Sequence, residues 1–220
     1  IEKSRVSILR QSLEKFDQGK ISPEEVWIST EISQPLSGMK EVNKGFVNPL
    51  TYPSKGWWVS PKLKQHIGNP DHGVLIADVN FEIGGNYQPL PGLNFSAVVQ
   101  TFVFGNLDKI TRKSNSKLEH VRSDIVSYLK EGRNSLKTLQ ASYFQSLAPN
   151  WYGRVTAGIF EAMYGGIGAE VLFRPFGKKW ALGAEINWVK QRDFNQLFRF
   201  RNYNTVTGHA TLHYELPFYN

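Results

Sequence analysis

The chain has 220 residues, 26 Lys and Arg against 19 Asp and Glu, a formal charge of +7 and no cysteine. These counts exclude a disulfide scaffold, Cys-ligated zinc or iron–sulfur centres and thiol catalysis, and a 40% hydrophobic content excludes disorder. The basic balance favours polyanionic partners, and no apolar run approaches the ~18 residues of a membrane helix. The opening Ile1-Glu2-Lys3-Ser4-Arg5 does not read as a signal peptide. A chain that starts without Met, inside what reads as a first helical turn, is expected to be a piece of a longer one.

Val6, Leu9, Leu13 and Phe16 recur at helical spacing before Gly19, which predicts a short amphipathic helix. Val26, Ile28, Thr30 and Ile32 alternate with Trp27, Ser29 and Glu31 between Pro23 and Pro35, which predicts a strand, so residues 1–35 read as a small helix–strand element. Residues 36–73 are dense in Pro, Gly, Asn and Ser and read as an irregular connector docked by Trp57 and Trp58. From Leu75 the pattern has period two, and residues 74–220 form the main domain, in roughly seven or eight strand-length segments.

Leu75, Ala77, Val79, Phe81 and Ile83 point one way and Asp78, Asn80 and Glu82 the other. The alternation recurs over residues 93–99, 155–159, 167–173, 180–188 and 206–216. Residues 121–146 predict a hairpin turning at 131–134, although Leu118, Val121, Ile125 and Leu129 also suit a helix. Counting strands on the hairpin reading puts the long loops at 106–120 and 192–204 on opposite sides.

Alternation alone also fits a soluble sandwich or a lipocalin-like barrel. Segment length and flanking aromatics favour a membrane barrel, because Trp180 and Trp188 share the apolar face and their separation projects to about 20 Å, close to the ~25 Å apolar band of such barrels. The expected fold is therefore mainly β: an antiparallel up-and-down transmembrane-type β-barrel, incomplete if strands lie outside this chain, with a small N-terminal α/β element. Asp78, Glu82, Arg154, Glu170, Arg174, Glu185 and His213 are expected to face the lumen, and Trp151, Tyr164, Trp180, Trp188 and Tyr214 to form the aromatic girdle.

A glycosidase would need two carboxylates roughly 5 to 10 Å apart, and Glu161, Glu170 and Glu185 are candidates. Their distribution over successive strands, with Arg154 and Arg174 as partners, reads instead as lumen charge, so no enzyme is expected. His209 and His213 share a strand face about 13 Å apart, too far to hold one metal, and no metal or cofactor is expected. Tyr164-Gly165-Gly166-Ile167-Gly168 lacks the ending of a phosphate loop and reads as a tight hairpin. Arg192, Arg199 and Arg201 interleave with Phe198 and Phe200, a mixture suited to an anionic polysaccharide or a lipid headgroup; an ordinary interfacial loop would also carry it.

Gly56-Trp57-Trp58-Val59-Ser60-Pro61 with Gly68-Asn69-Pro70-Asp71, Val121-Arg122-Ser123-Asp124-Ile125, the long block 152–194 and Thr207-Gly208-His209-Ala210-Thr211 together resemble the YjbH family of exopolysaccharide and capsule biosynthesis proteins, whose relatives include the GfcD proteins. The resemblance implies an outer-membrane β-barrel of Gram-negative bacteria whose N-terminal element is periplasmic. It also implies a role in export or surface assembly of an acidic exopolysaccharide or capsule. The implied partners are outer-membrane lipid, anionic polysaccharide and other export proteins, with no nucleic acid. It brings no catalytic residues. An envelope enzyme acting on the polymer and a purely structural scaffold are the alternatives.

Overall fold

The computed structural model describes residues 5–34, 51–67, 75–111 and 123–216. The first stretch pairs two short strands, β1 (Arg5–Ser7) and β2 (Glu31–Ser33), around α1 (Arg10–Asp17) and α2 (Pro23–Ile28). The expected strand across Val26 and Ile28 is a helix instead. Ser22 caps it through a reciprocal capping box with Glu25, and Pro23 sits in the first turn, so the local start signal overrides the alternation.

Eight further strands form one antiparallel sheet: β3 (Ser54–Ile67), β4 (Leu75–Leu90), β5 (Leu93–Gly105), β6 (Ser135–Ala148), β7 (Trp151–Ile159), β8 (Tyr164–Phe173), β9 (Trp180–Arg192) and β10 (Phe200–Tyr214). Their spatial order is their chain order, the expected up-and-down meander. Among the described residues β3 and β10 each have one neighbour, so the sheet has two edges.

Further expectations are corrected. The connector expected over 36–73 contains β3, although its residues 36–50 and 68–73 lie outside the described ones. The hairpin expected over 121–146 is α3 (Ile125–Glu131) followed by β6; Leu118 and Val121 lie outside the described residues. The glycines of 164–168 lie inside β8, and the turn precedes them. Replacing an expected strand by a helix removes one crossing of the sheet. The connections 106–134 and 193–199 therefore leave the same end, not opposite ends. At the other end, β4–β5 and β6–β7 turn through two residues each, Pro91-Gly92 and Pro149-Asn150, with Gly92 and Asn150 at positive φ.

Cross-strand partners share a face of the sheet. Trp180, Leu182, Ala184, Ile186 and Trp188 stand opposite Tyr214, Leu212, Ala210, Gly208 and Val206, and the apolar face continues through Ala169, Val171, Val155 and Ala157. The other face carries Asp78, Glu82, Arg154, Glu170, Glu185 and His213. Burial is inverted relative to a soluble sheet. Leu182, Ile186 and Leu212 on the apolar face are 48%, 58% and 68% exposed, while Asp78, Asn80 and Gln100 on the polar face are 1% exposed.

The polar face is covered at the long-connection end by the 3-10 turn Leu107–Lys109 and by α3. Val126 of α3 packs with Ile76 of β4, Leu107 and Ile110, whereas Tyr128 packs with Met163, Tyr164 and Val189 of β9. One two-turn helix thus touches strands five places apart, which requires the sheet to curl around it with the polar face inside.

Candidate functional site

The polar face below α3 carries a charged row spanning four adjacent strands. Arg154, Glu170, Glu185 and His209 are register partners in turn on β7, β8, β9 and β10. Arg154 Nη2 lies 2.7 Å from Glu170 Oε2 and 3.8 Å from Glu185 Oε1, and His209 Nε2 lies 3.3 Å from Glu185 Oε2. Asn187 Nδ2 donates to Glu185 Oε1 at 2.9 Å. A cavity of about 200 Å³ opens above the row, with Gln140, Thr156, Asn187 and Phe160 also in its wall. Both carboxylates border this cavity and are engaged by Arg154. His209 completes the row and was missed as a member because register, which fixes its partner, is not readable from one strand.

Asp78 also lies on the polar face but is not presented to open space. Arg133 Nε and Nη2 donate to its two oxygens at 2.9 and 2.8 Å, and the Leu107 backbone N–H donates to Oδ1 at 2.9 Å. The hydrogen-bonded Asp78 carboxylate holds the Arg133 guanidinium above its ordinary pKa. This pair ties the start of β6 to β4. Glu82 sits between Ser60 and Gln100 on the same face. Arg174 lies one residue beyond β8, in the β8–β9 connection.

Helix α3 is tied to β9 by polar contacts as well as packing. The Tyr128 hydroxyl donates to the Arg192 carbonyl at 2.6 Å, and burial pushes its pKa up to about 12, so it remains a neutral donor. Gln191 Nε2 donates to Asp124 Oδ2 at 3.0 Å, and Gln196 Nε2 to the Tyr128 carbonyl at 2.7 Å.

The arginine-aromatic loop divides into two kinds of residue. Arg192 is fully buried, and its guanidinium donates to the carbonyls of Glu161, Ala162, Leu136, Gln196 and Leu197. It is a strut that joins three chain segments, which corrects its reading as a ligand contact. Arg201 stacks 4.2 Å above the Phe194 ring and lies 4.0 Å from Asp193. Phe198, Arg199 and Phe200 are exposed. The two phenylalanines border a shallow apolar cavity of about 710 Å³ with Tyr87, Phe95, Leu139 and Ile167.

Of the expected girdle, Trp151, Trp180 and Tyr214 line up with Phe173 at the short-turn end, on four adjacent strands. Trp151 and Phe173 have ring centroids 4.8 Å apart, Phe173 and Trp180 5.8 Å, and Trp180 stands opposite Tyr214. Trp188 lies on the same face toward the other end. Tyr164 is not on that face: it is 4% exposed on the polar face, packed with Tyr128 and Val189.

At the short-turn rim a second polar cavity, of about 480 Å³, is bordered by Arg174, Lys178, Lys179, His213 and Glu215 beside Trp180 and Tyr214. Among the described residues no group of three or more metal-ligating side chains converges, and no helix is long and apolar enough to cross a membrane; the latter says nothing of strands.

The family comparison follows the same residues. Residues 1–220 match the family model of YjbH, described as an exopolysaccharide biosynthesis protein. The chain belongs to this family. Within it, an Escherichia coli (strain K12) protein described as an uncharacterized lipoprotein YjbH is 30% identical over 206 residues, covering 84% of this chain and 29% of that relative. This YjbH-family chain thus spans less than a third of the length of the relative it matches. No solved structure matches it.

Proposed function

We propose that the eight-stranded sheet is part of a transmembrane β-barrel in the outer membrane of a Gram-negative bacterium. In this reading it assists, without catalysis, the export or surface assembly of an acidic exopolysaccharide. The observation that carries the reading is the inverted burial: a continuous apolar face left exposed and a polar, charged face curled inward. In water such a surface exposes far more contiguous apolar area than a soluble monomer tolerates, whereas in a bilayer it faces hydrocarbon. The strands run from 9 to 16 residues, enough to cross at a tilt. The polysaccharide half of the reading is supported by the family, and the envelope location by the description of its E. coli relative as a lipoprotein.

The lengths of the connections orient the sheet. The connections of two, two and six residues (91–92, 149–150 and 174–179) lie at one end and the longest, 106–134, at the other, an asymmetry like that of outer-membrane barrels with short periplasmic turns. The Trp151–Tyr214 aromatic row and the basic rim then lie at the periplasmic interface, and α3 narrows the outer mouth.

The test is fractionation of the full-length protein from cells. Expected outcomes are recovery with the outer membrane, resistance to alkaline carbonate, and a gel mobility that shifts only after boiling. Release by carbonate with an unchanged mobility would return the sheet to a soluble or peripheral protein.

A further inference from the structure

The inward face holds a polar cavity of about 200 Å³ beside the Arg154–Glu170–Glu185 row. Gln140 of β6, Thr156 of β7 and Asn187 of β9 stand in its wall, and Phe160, one residue past β7, borders it. The polar side chains are fixed by their own contacts. Gln140 Nε2 donates to the Phe160 carbonyl at 3.2 Å, the Thr156 and Ser142 hydroxyls lie 3.0 Å apart, and Asn187 Nδ2 donates to Glu185. Gly168 makes room for Asn187, because a β-carbon there would overlap the Asn187 amide oxygen. A primary amide offers two donors and an acceptor oxygen, and a hydroxyl offers both functions, so each group has capacity beyond these contacts.

We infer that this cavity is a subsite for one uncharged pyranose unit of a polysaccharide. A sugar hydroxyl donates and accepts at once, which matches a wall built of two amides, a hydroxyl, a guanidinium and two carboxylates. The charges of the row are bonded to one another, and the two carboxylates oppose a uronate or another anionic unit at this place. Phe160 supplies an aromatic surface for the C–H face of a ring. At about 200 Å³ the cavity equals roughly seven waters at ~30 Å³ each, the scale of a single ring and smaller than the ~300 Å³ or more of a drug-sized site. The subsite deepens the export reading and rests on it, since the same face is the lumen along which the polymer passes.

The probes are the neutral trisaccharides maltotriose, mannotriose and galactotriose, with trigalacturonate as the charged control, titrated by calorimetry into the purified full-length protein in detergent. Binding of at least one neutral probe is expected, with little dependence on salt because no ion pair forms. Its affinity should fall about fivefold in Thr156→Val, the loss of one hydrogen bond, and recover in Thr156→Ser, which keeps the hydroxyl. Ser142→Ala breaks the same Ser142–Thr156 contact from a residue outside the cavity wall, and should leave the affinity unchanged. Equal losses in Thr156→Val and Ser142→Ala overturn the subsite, as does no loss in Thr156→Val. Failure of every neutral probe to bind, or equal or tighter binding of trigalacturonate, also overturns it. Neutral-probe binding that only Thr156→Val weakens, in a protein that carbonate extracts, would instead retain the subsite and sink the barrel reading.

Discussion

Trp58 on β3 covers Gly84 on β4. The two are register partners on the polar face, and a β-carbon placed at Gly84 would overlap the indole ring. An aromatic side chain over a glycine shields backbone that has no side chain of its own, and here it pins the register of a strand with only one neighbour among the described residues. Trp58→Ala is expected to destabilise the protein by about 1 kcal/mol and Gly84→Leu by about 1 to 3 kcal/mol, the second through overpacking. Denaturant unfolding in detergent micelles, followed by tryptophan fluorescence of the remaining indoles, measures both. Equal stability of Gly84→Leu and wild type would show that the indole lies elsewhere.

The two faces of β9 make the sharpest contrast. Ile186 is exposed on the apolar face, and Asn187, its neighbour, donates to Glu185 on the polar face. Under the barrel reading, Arg at Ala184 or Ile186 costs about 2 to 4 kcal/mol near mid-bilayer, whereas Arg at Asn187 meets Glu185 and is tolerated within about 1 kcal/mol. Reversible unfolding from lipid vesicles reads the difference. Equal costs on the two faces would restore a soluble sheet.

Where local pattern and tertiary partner agree, the fold was legible. The period-two runs of β4, β5 and β7 to β10 leave most of their apolar side exposed, Ile159 at the end of β7 being buried, so little packing context modified the alternation. β3 carries the same alternation, Trp57, Val59, Pro61, Leu63 and Ile67 against Trp58, Ser60, Lys62, Lys64 and His66, but Pro61 and the surrounding Gly and Pro suggested a connector. Proline is tolerated there because one side of β3 lacks a hydrogen-bonding neighbour among the described residues. In α2 the capping box and Pro23 were the available signal, and they outweigh a four-residue alternation. α3 was visible only as an alternative, since its helical face is completed by Ile76 and Val189, residues distant in sequence. The role of Arg192 was not legible at all: five carbonyls from three segments converge on it only after the chain has folded.

Arg192 accordingly behaves as a structural residue. Arg192→Ala leaves those carbonyls without their donor in a buried site, and a loss of about 3 kcal/mol or more in stability is expected. Arg192→Lys recovers part of it, because one ammonium offers three donors where the planar guanidinium offers five. The measurement is the denaturation midpoint of each variant, together with oligosaccharide binding by the folded fraction, which should be unchanged. A variant of normal stability that loses the oligosaccharide would return Arg192 to the ligand contacts.

The last expectation separates a structural charge row from a catalytic pair. Glu170 and Glu185 are register partners, close enough together to resemble the two carboxylates of a retaining glycosidase, yet both are turned onto Arg154. An essential general acid or base has no substitute, and its removal ordinarily costs ~10²-fold or more. In a structural row the neighbours remain: Glu185 still holds Arg154 when Glu170 becomes Gln, and Glu170 does so when Glu185 is changed. Glu170→Gln or Glu185→Gln alone should therefore leave secreted polymer within a few-fold of normal. Arg154→Ala should be the more damaging change, because it sets two carboxylates against each other on adjacent strands with no cation between them. Secreted polysaccharide and heat-modifiable outer-membrane protein are assayed in the same cells. Loss of polymer in either Gln variant at normal levels of folded protein, with Arg154→Ala mild, would make the row a catalytic site.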